Sequence, residues 1–197
     1  MITRDNKLST FAQIRALSSP KDVMFSCALM QRMLPNYQLF SELNEFGDPQ
    51  LAQSALQLLW EWCMSPQSKF NAAVQLEKLE DIIPEVTDFD NFGVYPALDY
   101  CMALSCALQG FCNEHDNPAV TIAKLSQGSV EAYILASAEA ELSSEEVKQH
   151  PLMQYEIETQ LSLLAYCQEH KVNKQNVKAL RDDLIQQKVS NLGIELE

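Results

Sequence analysis

The chain has 197 residues, 47% apolar and 21% charged, the balance of a globular protein with a core rather than of a disordered one. Its 27 acidic against 14 basic residues leave a net charge of −13, which argues against nucleic acid, because phosphate recognition needs clustered Lys and Arg. Only five glycines are present, few for an all-β chain built on tight turns, and no run reaches the roughly 18–20 apolar residues of a membrane helix.

The opening MITRDNKLST has no apolar stretch of the kind that heads an export signal, so none is expected. The cysteines Cys27, Cys63, Cys101, Cys106, Cys112 and Cys167 sit mostly among apolar helical neighbours rather than in spaced pairs. Without export they read as reduced, buried thiols of a cytoplasmic protein. Ser19-Pro20, Asp48-Pro49, Ser65-Pro66 and Asn117-Pro118 each pair a capping residue with a proline and predict a helix start. Proline fits the first helical position because its missing N–H would have had no partner there. Ser143-Ser144-Glu145-Glu146 adds a capping box, and Gly47 a helix stop. Ala52, Ala55, Leu56, Leu59 and Cys63 then form one apolar helical stripe. Ile157, Leu161 and Leu164, running out at Gln168, repeat the spacing, as do Val177, Leu180, Leu184 and Ile185.

Taken in order, the spacing predicts helices near 6–17, 20–33, 36–46, 49–64, 67–81, 96–112, 118–141, 144–149, 152–170 and 174–188. The expected fold is all-α: a compact multi-helix bundle of about eight to ten helices in a single domain over 1–197. Its longest connection is an acidic loop at 82–95, and the tail SNLGIELE is expected to dock extended.

That loop lies in a one-sign segment. Between Leu79 and Ala123 there is no Lys or Arg, while Glu80, Asp81, Glu85, Asp88, Asp90, Asp99, Glu114 and Asp116 are all acidic. With Asp88 as position 1 of a calcium loop, Asp90, Gly93 and Asp99 fall at positions 3, 6 and 12. Phe92 and Pro96 occupy positions 5 and 9 of that register, and Asp stands where a bidentate Glu is the rule. The competing reading is structural. Asp88 and Asp90 cap turns, Gly93 takes a positive φ, and Phe89, Phe92 and Tyr95 pin the loop to the core. Pro96 then opens a helix whose first turn places Asp99 at the positive end of the dipole.

Other constellations carry less chemistry. Cys101, Cys106, Cys112 and His115 suggest a ligand set, but on one helix Cys101 and Cys112 stand about 16 Å apart along the axis, too far to share a zinc or a disulfide. His115 reads as a turn residue, His150 as the end of a short helix, and His170 as a last-turn residue facing the dipole. No Glu-x-x-His, H-E-x-x-H, G-x-S-x-G, Walker or G-x-G-x-x-G motif occurs, so no catalytic residue, cofactor or metal ligand is assigned by motif. Trp60, Trp62, Phe70, Tyr95 and Tyr100 read as core or interface anchors, and Trp60 and Trp62 cannot share one helical face.

Three stretches, RMLPNYQLF (32–40), QLEKLEDIIPEVTDFDNFGVYPALDYCMALS (75–105) and SNLGIEL (190–196), resemble the bacterial YjaG-like family, whose function is unknown. The resemblance runs nearly end to end and implies a helical fold and a signalling-associated setting. It carries over no activity, cofactor or catalytic residue. It does carry a location: Gln75, Glu77, Asp88, Asp90, Gly93, Tyr95, Pro96 and Asp99 in the long signature, with Asn36 and Tyr37 in the short one, form the candidate functional surface. The favoured reading is a non-catalytic interaction or regulatory module whose acidic surface meets a basic protein partner, with no role for nucleic acid or membrane; a homodimer is compatible with it. The alternative is a metal-dependent or small-molecule enzyme with a carboxylate site at Asp88, Asp90 and Asp99.

Overall fold

Capping side chains set most helix starts in the computed structural model, which describes residues 9–195. Ser9 accepts from the Ala12 N–H and opens α1 (Thr10–Arg15); the part of the expected helix at 6–8 lies outside the described residues. The predicted helices 20–33 and 36–46 are one, α2 (Lys21–Asn44), which runs through Pro35. An interior proline removes one ladder hydrogen bond. Here residues 32–37 are all buried, and α2 packs against α3, α5, α6, α8 and α9, so tertiary contact holds the helix straight through the defect. Burial of every residue from Met24 to Met30 marks α2 as the central helix.

After α2 stops at Glu45 in the left-handed conformation, Gly47 turns at φ +74. A side chain at Gly47 would strike the Tyr37 hydroxyl, which donates to the Ile82 carbonyl at 3.0 Å. Asp48 accepts from the Gln50 and Leu51 N–H groups and opens α3 (Pro49–Met64), whose buried face is the predicted stripe with Trp60 added. Ser65-Pro66 does not start a helix. The exposed segment 65–69 turns instead, and Asn71 caps α4 (Ala72–Glu80) by accepting from Val74. A short 3-10 turn (Val86–Asp88) precedes α5 (Val94–Phe111), which begins two residues before the expected start. Gly93 sits at φ −55, not positive, and Pro96 lies buried inside the first turn of α5. The Asp99 carboxylate is therefore beyond the first turn and does not cap the dipole.

α6 (Pro118–Ser137) ends short of the predicted 141, and α7 (Ser144–Gln149) carries the expected capping box between Ser143 and Glu146. His150 closes α7 and caps α8 (Pro151–Glu169) through Nδ1, which accepts from Leu152. α9 (Lys174–Gln187) starts at Asn173, and the tail turns back so that Val189 bridges Glu195. Among the described residues there are nine α-helices, and that single bridge is the only β pairing.

The largest departure from the periodicity is on α8. Leu161, assigned to the apolar stripe, is 40% exposed, while the buried face is Met153, Glu156, Gln160, Leu163, Leu164 and Cys167. Two polar side chains point inward because α2 and α6 supply partners. Glu156, 0% exposed, receives Arg32 Nη1 at 2.5 Å, the Ser126 hydroxyl at 2.6 Å and Gln160 at 2.8 Å. Asn191 from the tail then donates to the Ser126 carbonyl at 3.2 Å, accepts from Asn36 at 2.8 Å, and gives its backbone N–H to the Arg32 carbonyl at 3.1 Å. Ser190, Asn191 and Leu192 are buried, so the tail docks as a plug rather than as an extended strand.

A buried ion pair stripped of one partner leaves an uncompensated charge, which costs about 3–5 kcal/mol. Glu156→Leu and Arg32→Leu should each lower unfolding stability by about that amount in urea titrations, and the double substitution by clearly less than their sum.

Candidate functional site

The acidic loop is held by aromatic anchors. Phe89 packs edge-on against Phe40 at 4.9 Å and Phe46 at 5.2 Å, and Asn91 donates to Asn44 at 2.8 Å, tying the loop to the end of α2. Phe92 leans on Tyr95 at 5.8 Å and on Tyr133 of α6 at 5.9 Å. With its apolar side chains turned inward, the loop leaves Glu85, Asp88 and Asp90 exposed.

Beside it, α5 and α6 enclose a groove of about 420 Å³ lined by Tyr95, Leu98, Asp99, Leu125, Gly128 and Ala132. Gly128 leaves open space where a side chain would stand, and Tyr95 is 49% exposed. Asp99 is half-buried and accepts from the Ser129 hydroxyl at 2.6 Å. Burial pushes its carboxyl above the ordinary value, and the Ser129 hydrogen bond only partly opposes this. No cation answers it: among the described residues the ion pair within 4.0 Å is Arg32 with Glu156. Lys124, at the groove edge, sits over the Phe11 ring at 5.7 Å instead.

The candidate residues thus separate. Tyr95 and Asp99 meet in the groove, Asp88 and Asp90 are exposed on the adjoining loop, and Gly93 is half-buried at the start of α5. Gln75 and Glu77 lie on α4, half-buried and exposed. Asn36, Tyr37 and Pro96 are interior residues, so they shape the core rather than a surface. Among the described residues, no three His, Cys, Asp or Glu side chains converge to hold a metal ion. Asp99, twelfth in the calcium-loop register, lies in α5 and accepts from Ser129 of α6.

Burial pushes the thiols of Cys101 and Cys167 up to about 12, which disfavours the reactive thiolate form. Nδ1 of His115 accepts the Asn117 N–H at 3.3 Å, and Nε2 lies 3.3 Å from the Thr121 hydroxyl. Sequence reasoning missed the α6 wall of the groove. Leu125, Gly128 and Ala132 carry no motif, and nothing in their spacing says which helix they face.

Residues 9–195 match the family model described as "Protein of unknown function (DUF416)". A protein of Escherichia coli (strain K12), "Uncharacterized protein YjaG", is 39% identical over 189 residues, covering 92% of this chain and 94% of that one. An uncharacterized protein of Haemophilus influenzae is 34% identical over 188 residues, covering 93% and 95%. The crystal structure of a DUF416 family protein from Shewanella baltica OS155 superposes with a TM-score of 0.90 at 43% identity, covering 96% of this chain and 100% of that one.

Because the folded Asp99 holds its proton to higher pH than the unfolded value of 3.8, the folded state binds more protons between those two points. Stability contributed by this group falls as pH rises through that window and stays lower above it. Asp99→Asn, whose amide oxygen still accepts from Ser129, should therefore melt higher than wild type at pH 7, with the gap closing as pH drops below the unfolded value.

Proposed function

This chain belongs to the DUF416 family of unknown function, and from that premise we propose that it is a non-catalytic interaction module whose α5–α6 groove receives a helix of a basic protein partner. The observation that carries this reading is a half-buried carboxylate without a cation, Asp99, in the same groove as the half-exposed ring of Tyr95. A groove between two helices with apolar walls accepts the apolar face of a third. Asp99 asks that face for one Lys or Arg, and the exposed Glu85, Asp88 and Asp90 favour approach of further positive charge. A carboxylate whose proton affinity is raised beside a groove has the character of a binding group.

The test places a photo-crosslinking amino acid at Tyr95 and, as control, at the exposed Gln186 of α9. Expected is a protein adduct from position 95 alone, through a Lys/Arg-bearing helical segment, reduced by moderate salt and by Asp99→Asn. Equal adducts from both positions, or indifference to salt and to Asp99→Asn, would refute the reading. Tyr95→Ala, at a half-exposed position, should change stability by less than about 0.5 kcal/mol while removing the adduct's partner from affinity capture.

A further inference from the structure

A second concavity, of about 460 Å³, opens where the first turns of α2, the ends of α3 and α5, and the loop 112–117 meet. Its shape is built into the packing. A Cβ on Gly110 would lie 2.6 Å from Pro118 Cγ, so glycine lets the end of α5 touch the start of α6. The short loop between them turns through Asn113 at φ +58. One wall is aromatic: Trp62 stands edge-on to Phe111 at 4.8 Å, and Phe70 backs Phe111 at 5.0 Å.

The polar groups in this cleft share one sign. Asp22 lines it from α2 and Asp116 from the loop, and no Lys or Arg is among the lining residues. Asp22 accepts the N–H of Val23 at 2.8 Å, and burial raises its carboxyl above the ordinary value against the pull of the Val23 and Asp22 backbone N–H groups. Lys21, beside it in sequence, is committed elsewhere, donating to the Gln168 carbonyl at 2.7 Å. His115 also lines the cleft, with its Nδ1 accepting the Asn117 N–H at 3.3 Å. Ser19 and Asn113 complete the rim.

Aromatic faces beside carboxylates in a cleft large enough for a small ligand are the recognition chemistry of organic cations. We propose that this cleft binds an ammonium or guanidinium group on an alkyl stem, the charge lying between Asp22 and Asp116 and the stem against Trp62 and Phe111. The shared chemistry covers a free small amine and a Lys or Arg side chain of a peptide. The cleft shares no lining residue with the α5–α6 groove, and Asp99 has no part in it, so the two readings stand or fall separately.

The two tryptophans give a direct readout, because the Trp60 indole is buried and donates to Gln31 at 3.1 Å, whereas Trp62 lines the cleft. ¹⁵N-labelled protein is titrated with n-butylammonium, n-butylguanidinium and neutral n-butanol. Expected is a saturable shift of the Trp62 indole signal with either cation, none with n-butanol, and a stationary Trp60 signal. Asp22→Asn, which keeps the acceptor for Val23, and Asp116→Asn at an exposed position should each weaken the apparent Kd about tenfold, the equivalent of one lost charge contact. Asp99→Asn should leave it unchanged. No saturable shift with the cations, a shift with n-butanol equal to theirs, or wild-type affinity in both cleft variants would overturn the proposal. A last arm compares 1,4-diaminobutane with an end-blocked pentapeptide bearing one central Lys or Arg. The tighter binder identifies the source, and binding by neither contradicts the site.

Discussion

Arg32 and Glu156 are ionic groups withdrawn from water, 3% and 0% exposed, and the placement of four segments follows from making that burial tolerable. Desolvation of such a pair is offset as its remaining donors and acceptors are engaged, and among the described residues Arg32 Nη2 is left buried without a hydrogen bond. Glu156 therefore draws in Ser126 of α6 and Gln160 of its own helix, while Gln160 also reaches the Ala123 carbonyl at 3.0 Å. α8 is rotated so that a polar pair faces the core and Leu161 faces out. Tyr155, on the same helix, lies 5.8 Å from the Arg32 guanidinium and covers it from outside. Hydrophobic area alone would favour another rotation of α8; the ion pair selects this one.

Fixing α6 against α2 and α8 also fixes what α6 offers on its other side. Ser129 comes three residues after Ser126, so one helix presents a hydroxyl to Glu156 and another to Asp99. Both carboxylates are held by serine; only the interior one has a cation. This asymmetry distinguishes a carboxylate that completes the core from one that stands at the groove without a cation. Hydroxyl donors steady a carboxylate without neutralising it, so the electrostatic demand of Asp99 persists in the folded protein.

Local chemistry was the legible part of the fold. Asp48, Ser143 and the stripe on α3 were read correctly because caps and apolar spacing act within one or two turns. Reading failed where distant chain decided the outcome. Pro35 looked like a break, yet α2 passes through it under packing from five other helices. Ser65-Pro66 looked like a start, yet the buried face begins only at Ala72, and Asn71 takes the cap. Glu156 and Gln160 fall outside the apolar spacing read on α8, and their partners on α6 are 30 or more residues away. The site was legible to the same degree: Tyr95 and Asp99 stood in a signature stretch, while the opposing wall on α6 has no local mark.

Asn36 and Asn191 are 155 residues apart, and the clasp between them has a consequence for synthesis on the ribosome. Translation delivers α2 early and the segment carrying Asn191 almost two hundred residues from the start, so the central helix emerges long before its last partner exists. Until that segment emerges, the Ser126 and Arg32 carbonyls that Asn191 will engage hold only the hydrogen bonds of their own helices. The clasp therefore makes the packing of α2 against α6 depend on a segment far away in sequence, and not on the docking of any one helix.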